Sequence, residues 1–279
     1  MLEFLCFIDL ARKLFSIFLT NPFRIMQCLS SKLILFLGFL LFQHLRLFAQ
    51  DVHLPSIMPT VSATVPVSKK LDFNFTSFCV FSVSKQKVWG IEYPSQGRLL
   101  LVQPSLIYKF SPKLNVAASW AYIVPNPFTP QSGTVFCPWQ QVAFNHKVGN
   151  GKINHRLRFE ELFKQKEKLN QYYRTGRIRY QIGYQVSLQG KTLEKREFYL
   201  NVNHESFLNV TGTYLQPLSE NWNYAGIGYV LLNKSKIEIG YMGMSMARNK
   251  QLDKINYNSV QVSYLFNFTP ANLIDWWYH

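Results

Sequence analysis

The sequence predicts an all-β fold, a closed antiparallel transmembrane β-barrel of about 10–12 strands. Three observations predict it. Polar and apolar residues alternate with period two over long stretches. Short turns and longer connections separate those stretches in alternation. No run of roughly 18 apolar residues follows residue 50, so no helix after that point can span a bilayer.

The composition agrees. Of the 279 residues, 48% are apolar, 16% aromatic and only 16% charged. Soluble domains carry about 25% charge, so few charges beside many aromatics suit a wall that meets lipid. The net charge is +15, and residues 51–279 alone keep an excess of +12. No basic tail or Lys/Arg block occurs, so the charge fits a polar lumen and basic loops near anionic headgroups. No nucleic-acid partner is expected.

An export signal is expected ahead of residue 51. Lys32 is followed by the apolar run Leu33 to Leu41 and then Phe48-Ala49-Gln50. A basic residue, a short apolar run and a small residue before the cut define a signal peptide. Met26 to Gln50 has ordinary signal length, so translation from Met26 and cleavage after Gln50 are expected. The domains are then residues 1–50, N-terminal extension and signal peptide; 51–268, outer-membrane β-barrel; and 269–279, C-terminal extension. Of the four cysteines, Cys6 and Cys28 precede the cut. Cys28 lacks the small residues of a lipoprotein signal. Cys79 and Cys137 remain, to pair or to stay free. No metal-type spacing exists, and no cofactor is expected.

The clearest strand is 177–187. Arg177, Arg179, Gln181, Gly183, Gln185 and Ser187 share one face; Ile178, Tyr180, Ile182, Tyr184 and Val186 share the other. Successive strand side chains point to opposite sides. The pattern recurs. Asn154, Arg156, Arg158 and Glu160 oppose His155, Leu157 and Phe159. Tyr199, Asn201, Asn203 and Glu205 oppose Leu200, Val202 and His204. Ser259, Gln261, Ser263 and Asn267 oppose Val260, Val262, Tyr264, Phe266 and Phe268. Thr60, Ser62 and Thr64 oppose Val61, Ala63, Val65 and Val67.

Short turns fall at 67–70, 110–113, 149–152 and 232–235, and longer connections near 84–97, 125–136, 166–171, 211–220 and 248–255. That layout is short on the periplasmic rim and long outside. The strands run near 57–67, 71–83, 86–94, 98–110, 113–124, 137–149, 152–165, 172–188, 196–209, 221–232, 235–247 and 255–268, with 86–94 the least regular. That is eleven or twelve strands; single-chain bacterial barrels have even totals, which favours twelve, with ten allowed. A soluble secreted β-sandwich that binds a ligand is the alternative, but these strands exceed the usual five or six residues. Trp120, Tyr122, Trp139, Tyr172, Tyr173, Trp222, Tyr224, Tyr257 and Phe268 lie near strand ends, where they would form interfacial girdles. Gly176, Gly183, Gly190, Gly212, Gly226, Gly228 and Gly240 are read as sites of curvature and close backbone approach.

From Gln103 to Phe268 the chain resembles a family of Bacteroidota outer-membrane barrels, the domain of unknown function 2490 type. The resemblance rests on His155-Arg156-Leu157-Arg158-Phe159-Glu160, Arg177-Ile178-Arg179-Tyr180 and Asn203-His204-Glu205-Ser206-Phe207-Leu208-Asn209. It continues in Asn223-Tyr224-Ala225-Gly226-Ile227-Gly228-Tyr229, Ile237-Glu238-Ile239-Gly240-Tyr241 and Val262-Ser263-Tyr264-Leu265-Phe266-Asn267-Phe268. It implies the fold and an outer-membrane location, and it brings no established activity. The family's last strand usually ends the chain on an aromatic. Here Thr269 to His279 follow Phe268, so either Phe268 or Trp276-Trp277-Tyr278 would be read by the insertion machinery.

The lumen charge network is the candidate site: Arg156, Arg158, Glu160, Arg177, Arg179, Glu205 and Glu238. On this register all seven point inward, with the carboxylates placed to balance the arginines. One reading is a structural plug of paired charges. The other is a narrow porin-like pore, an arginine-lined constriction for small anionic solutes. A barrel-embedded lipid-modifying enzyme is a further alternative, but no catalytic residues are assigned and no enzyme is expected. His204 and Ser206 share a face but stand about 7 Å apart at strand rise, beyond hydrogen-bond reach, and Glu205 faces the other way. His146 and His155 face lipid. The expected partners are outer-membrane lipid and lipopolysaccharide, the barrel-assembly machinery and a small anionic solute.

Overall fold

The computed structural model describes residues 51–88, 90–130, 132–165, 172–212, 216–247 and 253–268. The proposed signal, the 269–279 extension and the Tyr172 side chain lie outside the described residues. Strands occupy β1 Val52–Pro66, β2 Leu71–Ser82, β3 Gln86–Val88, β4 Ile91–Tyr93, β5 Gly97–Lys109, β6 Leu114–Pro125, β7 Val135–Val148, β8 Gly151–Gln165, β9 Tyr172–Ser187, β10 Phe198–Gly212, β11 Leu218–Val230, β12 Lys236–Ala247 and β13 Lys254–Asn267. No helix occurs among the described residues.

Eleven of these strands form one closed barrel, in the order β1-β13-β12-β11-β10-β9-β8-β7-β6-β5-β2. Closure excludes the sandwich. It also overturns the expectation of an even strand total. The stretch 86–94 is not a stave: it forms the separate hairpin β3-β4. An up-and-down sheet of eleven strands brings its first and last strands together pointing the same way. The seam is therefore parallel, from Val52↔Ile255 to Thr64↔Asn267. The other ten pairings are antiparallel.

Two rims result. β1 begins at one of them, and the β2–β5, β6–β7, β8–β9, β10–β11 and β12–β13 connections share it; this is the loop rim. The turns 67–70, 110–113 and 149–150, the connection 231–235 and the end of β13 share the opposite turn rim. That side also carries the ten-residue connection 188–197, which breaks the short-turn rule. Ser187 and Glu197 side chains organise it: Ser187 Oγ donates to Glu197 at 3.0 Å and accepts from the Gly190 N–H at 3.1 Å.

The outward face is apolar across most strands. Phe159 (51% exposed), Ile182 (40%), Ile227 (51%), Ile239 (58%) and Val262 (49%) all point away from the barrel. Much of the interior is filled. Toward the loop rim, Met58, Phe78, Val80, Leu101, Tyr224, Met242 and Met244 form a buried apolar core. At that rim Tyr93 of the β3-β4 hairpin packs on Val52 and Leu54. Period two told which residues face inward but not what each meets across the lumen, so this core was not foreseen. Cys79 and Cys137 are buried and unbridged.

Candidate functional site

Adjacent strands β8 and β9 place Arg158 directly opposite Arg179 and Glu160 opposite Arg177. Two facing guanidinium groups repel, and burial makes that worse. The repulsion is met by carboxylates on both sides. Glu160 accepts from Arg177 at 2.6 and 2.8 Å and from Arg179 at 2.7 Å, with Arg158 at 3.5 Å. From β10, Glu205 accepts from Arg179 at 2.9 and 3.0 Å and from Arg156 at 2.8 Å. Arg158, Glu160, Arg177, Arg179 and Glu205 are all under 8% exposed.

Neutral groups complete the cluster. Arg158 donates to Gln141 Oε1 at 2.8 and 3.0 Å and to Gln103 Oε1 at 3.3 Å. Its guanidinium lies 3.8 Å from the Trp139 ring centre, and Trp139 Nε1 also donates to Gln103. Arg177 and Arg179 stack on Phe207 at 4.8 and 4.2 Å, and Arg179 on Trp222 at 5.3 Å. Such stacking is worth about 0.5–2 kcal/mol each.

Two features depart from the sequence reading. Glu220 belongs to the network: it accepts from Arg177 at 2.6 Å and from Trp222 Nε1 at 3.2 Å. It was missed because β11 was expected to begin at residue 221; the inward parity of Trp222 would have revealed it. Glu238 does not pair with the four arginines. It accepts instead from Tyr199 Oη at 2.5 Å, Tyr224 Oη at 3.1 Å and Asn201 Nδ2 at 3.2 Å. Gly228 and Gly226 make this possible. A Cβ on Gly228 would stand 2.2 Å from the Tyr199 ring, and one on Gly226 would stand 2.3 Å from Tyr224 Oη.

The expected girdle divides. Trp120 is 64% exposed, and Tyr122 and Tyr173 also face outward. Phe268 stacks on Phe266. Trp139, Trp222, Tyr224 and Tyr257 instead point inward: Trp139 and Tyr224 are buried, and Trp222 and Tyr257 pack against the apolar core. Residue type suggested an interface for these four, and strand parity overrules it. Between the ion pairs and the Glu238 cluster lies a cavity of about 210 Å³, lined by Gln103, Arg156, Gln181, Asn203 and Gln261 among others.

A second polar group sits on the outer wall. The register sets His204 opposite Asn223 and Ser206 opposite Asn221. His204 Nδ1 lies 2.7 Å from Asn223 Oδ1, and His204 Nε2 lies 2.9 Å from Ser206 Oγ. Ser206 Oγ is 3.0 Å from Asn221 Oδ1. This corrects the expectation that His204 and Ser206 are out of reach. Their backbones are separated by two strand steps, but side chains lean along the strand and the imidazole spans the gap. Glu205, facing inward, takes no part. His146 and His155 also lie outside, with parallel rings 5.4 Å apart, and His155 Nδ1 meets Tyr180 Oη at 2.8 Å.

Among the described residues no group of three or more His, Cys, Asp or Glu is placed to hold a metal ion. A search of curated proteins returned no match. The family model described as "Protein of unknown function (DUF2490)" matches residues 62–256, more than half of the chain, from β1 into β13. The chain therefore belongs to the DUF2490 family.

Proposed function

We infer that this protein is exported and inserted into the bacterial outer membrane as a barrel with a closed lumen, where it serves as a structural element of the envelope. One observation carries the reading: the outward face is apolar across most of the barrel while the interior is occupied by paired charges and an apolar core. Lipid is the surrounding that favours such a wall, since exposing it to water forfeits the hydrophobic gain. A barrel also leaves no sheet edge unpaired, as a bilayer demands. Lipid and lipopolysaccharide would surround it, and barrel-assembly machinery would insert it.

The lumen arrangement favours a plug over a pore. The arginines are engaged by carboxylates, and the apolar core and the Tyr93 hairpin fill the interior toward the loop rim. Reconstitution in planar bilayers tests this. The protein should resist carbonate extraction from membranes and show no unitary conductance steps. A steady anion-selective conductance, reduced by Arg158→Ala or Arg179→Ala, would replace the plug with a narrow anion pore.

A further inference from the structure

We propose that Ser206, His204 and Asn223 form a serine-hydrolase site on the lipid-facing wall, acting on carboxylic esters of membrane lipids. The proposal rests on the membrane reading above. Its starting point is a local breach of pattern. Outward residues of β10 run Phe198, Leu200, Val202, His204, Ser206, Leu208, Val210. A histidine and a serine interrupt an otherwise apolar row. Polar groups in a lipid-facing row are costly unless paired, and breaches of local rules gather at functional sites.

The pairing is that of a nucleophile, a base and an orienting group. With the Asn223 amide oriented so that Oδ1 accepts across 2.7 Å, the proton sits on His204 Nδ1. Nε2 is then bare and accepts the Ser206 hydroxyl across 2.9 Å. The hydroxyl has one proton and cannot also donate to Asn221 Oδ1. A half-turn of the Asn221 amide resolves this and turns Nδ2–H toward Ser206 Oγ. The register holds His204 and Ser206 directly against Asn223 and Asn221, so a side-chain amide is the nearest donor for a developing oxyanion. Asn221 is the one at hand.

The surroundings suit an ester at the membrane interface. On one side, β9 sets Ile178, Tyr180 and Ile182 opposite Leu208, Ser206 and His204. Ile178 and Val210 also edge an open pocket of about 930 Å³, whose lining runs from outward Trp120 and Phe159 to buried Trp139, Glu160 and Arg177; its outward part offers room for an acyl chain. On the other side, two polar rows leave the site. Asn221 continues to Ser245 and Asn256, and Asn223 continues across Gly243 to Asn258. These rows lie near the loop-rim ends of β11, β12 and β13, where they would give water a path to the site. The array thus stands where an apolar wall meets a hydrated strip.

The chemistry balances with water as the second reactant. Ser206 Oγ attacks the ester carbonyl carbon while its proton moves to His204 Nε2, and the carbonyl oxygen takes the negative charge beside Asn221. Collapse breaks the carbonyl-to-alkoxy C–O bond, and His204 returns that proton to the leaving alcohol. Water then attacks the acyl-serine, giving a proton to His204, and the fatty acid leaves as Ser206 recovers it. Ser206 and His204 are the catalytic residues, and Asn223 is a positioning residue.

The test uses the full chain, purified from membranes and checked for heat-modifiable gel mobility. Two substrates are supplied in mixed detergent micelles: acyl-labelled phosphatidylethanolamine and acyl-labelled lipopolysaccharide. Release of fatty acid from either supports the site and identifies the source. Ser206→Ala should lower release by about a thousandfold or more and abolish labelling by a fluorophosphonate. Asn223→Ala should lower it by at least about tenfold, and Asn223→Asp should restore it, since a carboxylate also accepts from Nδ1–H. Folded protein that releases no more fatty acid than Ser206→Ala and takes no label overturns the hydrolase alone. Protein washed from membranes by carbonate overturns the membrane reading beneath it.

Discussion

Replacing Glu160 with glutamine isolates the worth of the buried ion pairs. The amide keeps the volume and one acceptor oxygen, but it removes the charge shared by three arginines and turns an NH2 group toward one of them. Arg177 would be left with Glu220, and Arg179 with Glu205. Breaking a buried pair from one side costs about 3–5 kcal/mol. The stacking of Arg177 and Arg179 on Phe207 survives, which favours about 3–4 kcal/mol. With a urea dependence of about 2 kcal/mol per molar, the unfolding midpoint in lipid vesicles should fall by roughly 2 M, followed by tryptophan fluorescence. The adjacent Glu161 is the control. It pairs with Arg174 on the exposed face, so Glu161→Gln should cost no more than about 1 kcal/mol. If the two variants unfold within about 1 kcal/mol of each other, the ion pairs do not hold the barrel together as argued.

Other consequences follow from the same geometry. Gly228→Ala drives a methyl group into the Tyr199 ring, and relieving the clash displaces the Tyr199 hydroxyl from Glu238; a loss of about 1–3 kcal/mol should appear in the same urea titration. Cys79 and Cys137 are unbridged and buried, so reducing agent should leave folded gel mobility unchanged, and thiol labelling should need denaturant. The odd strand total puts the start of β1 and the end of β13 at opposite rims. Tags placed before residue 52 and after residue 268 should then be accessible to protease from opposite sides of the outer membrane; same-side cleavage would contradict eleven staves.

Which face each barrel residue occupies was legible from alternation, because strand geometry leaves a side chain only two directions. Arg177 and Ile178 are assigned by counting alone. What sits opposite across the lumen was not legible. It depends on barrel radius and strand stagger, so the meeting of Arg177 with Glu220, and of Tyr199 with Glu238, required closure to be seen. Trp222 and Tyr224 were misplaced because aromatic character was weighed above their parity. The eleven staves lie within the expected 10–12, and only the even total failed, at 86–94, where Gln86–Val88 and Ile91–Tyr93 carry barrel-like residues but are too short to cross. The His204 array escaped because Asn221 and Asn223 reach it only through the β10–β11 register, and because strand rise measures backbone separation, not the reach of an imidazole.

The most direct test of the bilayer-facing wall is site-directed spin labelling along β9, on a background with Cys79 and Cys137 replaced and the protein in vesicles. Labels at Ile178, Tyr180 and Ile182 should collide freely with oxygen dissolved in the acyl chains. Labels at Gln181 and Gly183 should be shielded, giving an accessibility that oscillates with period two. Equal oxygen accessibility at all five positions, or collision with a water-soluble relaxant at the first three, would contradict the account.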